Sequence, residues 1–146
     1  MLSLVVGAIA LVALLKPAPK AEAPAVKIYS DQEVNAAKKA VCDAYDLVHQ
    51  AIVVTNNKSG GSDTTAILAV AANGRLAAHA GGQYLSEALD RYPATPPQLA
   101  QGVHDLAAAL DALTLEYLAE TSNSEQDPLL RAADDATVRI KNQCNR

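Results

Sequence analysis

Three histidines, two cysteines and five tyrosines are the side chains of this 146-residue chain best suited to chemistry. Their spacing limits what that chemistry can be. His49, His79 and His104 fall in three different helical patterns, and no Glu-x-x-His repeat of the kind that builds a di-metal bundle accompanies them. No metal site is expected. Tyr45 and His49 are four residues apart and so share one helix face. Such a pair suits a ligand site inside a bundle, or a haem with Tyr as its axial ligand, and His79 could add a contact. The alternative is a core tyrosine beside a histidine at the rim. A chain with no Phe and no Trp has few aromatics to sandwich a porphyrin, so no resident cofactor is expected. Nothing resembles a G-x-S-x-G elbow, a P-loop or a dinucleotide fingerprint. Serines and threonines cluster at helix starts and loops, where backbone hydrogen bonding accounts for them. The residues point to no catalytic set and hence to a non-enzymatic protein.

Cys42 and Cys144 fit neither a zinc pattern nor a C-x-x-C redox pair. In an exported chain an even count reads as a disulfide; two unrelated buried thiols are the alternative. Export is suggested by residues 1–16, an apolar run closed by Lys16. Its fifteen uncharged residues would reach roughly 22 Å as a helix, short of the ~30 Å hydrocarbon core. No basic flank precedes it, so the anchor reads as incomplete, with a natural start further upstream. Residues 17–29, rich in Pro, Ala and Lys, read as an extended linker. Residues 30–146 then form one exported domain.

That domain reads as all-α, an antiparallel four-helix bundle preceded by a transmembrane or signal-anchor helix. Thirty alanines favour helices whose backbones approach closely. Ser30 and Glu33 make a capping box before the apolar stripe Val34, Ala37, Val41, Tyr45, Val48 and Ile52. The second helix runs from Ser62 or Asp63 to about Arg91, with Ile67, Val70, Leu76, Ala80, Tyr84 and Leu89 as its apolar residues. Gly74, Gly81 and Gly82 interrupt it, each costing about 1 kcal/mol against Ala. Close packing or a kink near Gly81 must explain them. Thr95 can cap the third helix with Pro96 in its first position; its stripe is Leu99, Val103, Leu106, Leu110, Leu113 and Tyr117. The fourth opens at Asp127-Pro128, or a turn earlier at Ser122, and carries Leu129, Ala133, Thr137, Ile140 and Cys144. Up-down-up-down order brings Cys42 and Cys144 to the same half of the bundle. A link between them would also tie down a chain end that otherwise frays.

The net charge of −4, with no basic cluster, argues against nucleic acid as a partner. The strings VCDAYDLVHQAI (41–52), AVAANGRLAAHAGGQYL (69–85) and TPPQLAQGVHDLAAAL (95–110) resemble the alanine- and proline-rich, membrane-anchored envelope proteins of actinobacteria, especially mycobacteria. The features that carry the likeness are mostly structural, among them Cys42, Tyr45, Gly81-Gly82, Thr95-Pro96 and Cys144. The resemblance implies a single-pass protein of the cell membrane with its bundle on the extracytoplasmic side. It brings no biochemical activity. The expected partners are the membrane, through residues 1–16, and another envelope protein of which this chain would be an accessory subunit. Binding of a small ligand or haem within the bundle is the alternative.

Overall fold

A computed structural model describes residues 27–145; the anchor expected over 1–16 and most of the linker lie outside the described residues. Four helices follow in order: α1 Asp31–Asn56, α2 Thr64–Arg91, α3 Pro97–Leu118 and α4 Asn123–Cys144, with no strand among the described residues. None of them is long and apolar enough to cross a membrane.

The helix starts follow their capping chemistry. Ser30 N–H donates to Glu33 Oε2 at 2.8 Å while Ser30 Oγ accepts from Glu33 N–H, the expected capping box. Asp63 Oδ1 accepts from the amides of Thr65 and Ala66 to open α2. For α4 the earlier of the two expected starts is used: Ser122 N–H donates to Glu125 Oε2 at 2.9 Å, which leaves Pro128 inside the helix. A proline there removes one backbone bond. The buried Gln126 side chain adds a tie of its own, donating to the carbonyl of Thr121. The third start departs from expectation. Thr95 Oγ1 donates to the Tyr92 carbonyl at 2.6 Å and closes the preceding turn, so α3 begins one residue later, with Pro97 rather than Pro96 in the first position.

Each helix packs on the next in sequence, α1 on α2, α2 on α3 and α3 on α4, whereas α1 and α4 share only a short seam. The Cys42–Cys144 disulfide lies on that seam, with Cα atoms 5.9 Å apart. The largest fully buried side chains are Tyr45, Leu85, Leu99, Ile140, Val41 and Val103. The α1 and α3 stripes read from the sequence face this core. The α2 stripe does not: Ile67, Leu76 and Tyr84 are exposed, and α2 instead buries Gly81, Gly82, Leu85 and Ala88. The inner face of α2 is made of small residues because two neighbours press on it. A Cβ at Gly81 would lie 2.7 Å from Val48 Cγ1 of α1, and one at Gly82 would lie 3.1 Å from the Ala107 carbonyl oxygen of α3. The helix runs unbroken through both, so close packing and not a kink explains the pair.

Candidate functional site

Two contacts set the register. Val48 against Gly81 places Ala78 and Gly74 of α2 beside the last two turns of α1, and the disulfide places Thr137 and Ala133 of α4 across from His49 and Ile52. Beyond the disulfide the α1–α4 seam opens. Residues from all four helices there line a cavity of about 480 Å³. Its lining runs from Tyr45 to Asn56 on α1 and from Leu106 to Tyr117 on α3, eleven residue steps in each case. That is about 16 Å of helix. The space runs along the helix axes.

Its middle is apolar, formed by Val48, Ile52, Ala78, Leu106, Leu110 and Leu113. Polar groups sit at the two ends. At the inner end Tyr45 is 2% exposed, and its hydroxyl makes no well-formed hydrogen bond. Burial pushes its pKa up, and the neighbouring Thr137 side chain opposes the shift. His49 stacks against it in a tilted arrangement with ring centroids 5.6 Å apart. Burial, and then repulsion from Lys141, lower the His49 pKa, so the imidazole is neutral at pH 7. At the outer end stand Asn56, Arg75 and Tyr117; Asp134 lines the α4 wall between Ala133 and Thr137, nearer the middle.

Arg75 differs from the other described arginines. Arg91 pairs with Glu87, Arg131 with Asp127 and Arg139 with Asp105. Among the described residues Arg75 has no carboxylate within ion-pair distance, although it is partly buried.

The structure therefore brings Tyr45 and His49 together in one cavity wall and leaves His79 out. His79 Nδ1 lies 3.2 Å from Asp111 Oδ1 on the outside of the α2–α3 contact, where Gln83 also donates to Asp111. His104 is exposed beside Asp105. No group of three His, Cys, Asp or Glu among the described residues could hold a metal ion. A haem reached by Tyr45 is poorly served, since an axial oxygen must face the cofactor and this one is buried behind the wall.

The sequence reading missed Arg75, Asn56 and Asp134. Arg75 carried a signal: with Ala71, Gly74 and Ala78 it forms the i, i+3, i+4, i+7 pattern of an inward stripe, and a charge in such a stripe marks either an ion pair or a site. No protein-family model matches the chain, and neither a curated protein nor a solved structure matches it.

Proposed function

We propose that this bundle is a non-enzymatic receptor for a small, elongated, mostly apolar molecule, held on the extracytoplasmic side of a membrane by residues 1–16. The observation that carries the reading is the interhelical cavity, whose volume lies within the range of small-molecule sites and whose walls are apolar with few polar groups. The disulfide supports an oxidising compartment. The tether rests on the sequence.

A second reading, an accessory subunit for another envelope protein, is supported by a different surface. Leu68 and Leu76 are spaced on α2 to share the side that carries His79, and Leu115 and Leu118 share the side of α3 that carries Asp111. All four are more than 60% exposed, and clustered exposed leucines mark interaction surfaces.

Photolabelling separates the two. The full-length chain, reconstituted in zwitterionic lipid nanodiscs, is exposed to a diazirine-bearing acyl probe and the adducts are mapped by mass spectrometry. Labels are expected on Ile52, Ala78, Leu110 and Ala133. An Ala133→Phe substitution, which fills the cavity, should abolish them. Adducts confined to the outer leucines, or labelling indifferent to Ala133→Phe, would sink the cavity reading.

A further inference from the structure

We infer that the ligand of this cavity is a single-chain amphiphile with an anionic oxygen head group, its tail between the helices and its head against Arg75; the inference rests on the receptor reading above. The dimensions argue for one chain. A space that runs about 16 Å along α1 and α3 admits an extended hydrocarbon laid parallel to the helices.

The polarity argues for where the head lies. The lining of the inner end carries no cation: Tyr45 and Thr137 bring hydroxyls, and the His49 pKa is lowered by burial and by Lys141, which stands outside the lining. An anion driven there would lose its hydration and find no cation in the wall, only Lys141 behind it. The outer end has what an anion needs. Arg75 offers a planar fork of donors, suited to a carboxylate or a phosphate, and no acidic side chain of the described protein occupies it. Asn56 and Tyr117 line the same end and can donate as well.

The glycine beside Arg75 is a second, independent sign. Gly81 and Gly82 are explained by the neighbours that a Cβ would strike. Gly74 is not, because a Cβ there would meet nothing within 4 Å. It lines the cavity, in the middle of a helix that would be better formed with alanine. Its lack of a side chain keeps space open at the base of Arg75, where a head group has to lie. Asp134, on the facing wall, acts in the opposite sense and repels an anion. Two opposed charges in the lining of one cavity give the inference a signature in two directions.

The full-length chain carrying Leu130→Trp, a rim position in a protein with no other Trp, reports binding by fluorescence in phosphatidylcholine nanodiscs. Dodecanoate, dodecyl phosphate and dodecanol are titrated in turn. Partition into the bilayer is common to all variants, so ratios between variants isolate the site. Arg75→Gln is expected to weaken dodecanoate by about tenfold, the scale of one charge-assisted hydrogen-bonded contact, and to leave dodecanol unchanged. Asp134→Asn should tighten dodecanoate and leave dodecanol alone. Dodecyl phosphate against dodecanoate decides which anionic head is preferred, and selectivity for either supports the inference. Should dodecanol bind as well as both anions, with Arg75→Gln and Asp134→Asn silent, the head-group assignment falls and the cavity reading stands. If none of the three binds, both fall.

Discussion

The two halves of this bundle are built from the same four helices and a similar supply of Ala, Leu and Val, yet one is solid and the other hollow. In the stapled half the disulfide draws α4 onto α1, and Val41, Leu85, Leu99, Val103, Ala136 and Ile140 pack with at most a trace of exposed surface. In the open half α1 and α4 part, Val53 and Leu130 stand 41% and 40% exposed at the rim, and the cavity takes the place of a core. Composition does not account for the contrast. What differs is whether α1 and α4 are held together, and a single covalent link at one end allows the other end to specialise.

The largest test of that contrast removes the link. The disulfide spans 102 residues of sequence, and in the chain-entropy account closing such a loop contributes up to about 4–5 kcal/mol. Cys144→Ser is expected to destabilise by about 3–5 kcal/mol, read from denaturant midpoints. Amide exchange should show protection lost first around Cys42 and Ile140. If protection fell only in the open half, the staple would not be what makes the other half solid.

A smaller test uses two glycines of α2. Gly81→Leu drives a side chain into Val48, and overpacking of that kind costs about 1–3 kcal/mol. Gly74→Ala, at the cavity wall, meets nothing and should stabilise the helix by up to about 1 kcal/mol. Thermal melts of the two variants should move in opposite directions. Equal losses would mean that the wall at Gly74 is as tightly packed as the contact at Gly81.

The smallest expected effect is on pH dependence. The His49 pKa is lowered in the folded state, chiefly by burial and then by Lys141, so the unfolded chain binds the proton more readily. Stability is therefore unaffected by this group above the ordinary histidine value of about 6.5 and declines as pH falls below it. Comparing denaturant midpoints at neutral pH and about one unit below that value, His49→Gln should show a shallower decline than the parent chain. An unchanged slope would place His49 in solvent and not in the cavity wall.

These regions differ in how well the sequence announces them. The boundaries of the helices could be read because caps and prolines are local chemistry: Ser30 with Glu33, Asp63, and Ser122 with Glu125 all act within three residues of themselves. Only Thr95 misled, its hydroxyl being spent on the turn behind it. The cysteine pair followed from topology, which four helices and short loops nearly determine. The inner face of α2 was illegible for a physical reason. Hydrophobic periodicity finds the face with the most large apolar side chains, and on α2 Ile67, Leu76 and Tyr84 face outward, while Leu85 faces in among Gly81, Gly82 and Ala88. The cavity was half legible. Tyr45 and His49 could be paired by their spacing, but Arg75 and Asp134 come to line one cavity only through the register of α2 and α4, which no local pattern encodes.

The position of the disulfide has a mechanical consequence. Residues 42 to 144 form a covalently closed ring that holds all of α2, α3 and α4 and the larger part of α1. A pull applied between the residues before Cys42 and those after Cys144 passes across the sulfur–sulfur bond and bypasses the ring. Only the first turns of α1 lie on the line of force, so stretching would unwind Asp31–Val41 and then stop. A nick in the loop between α2 and α3 would likewise leave one covalent molecule with its two pieces still joined. A domain hung from a moving surface, or exposed to proteases, keeps its cavity walls out of the path of either insult.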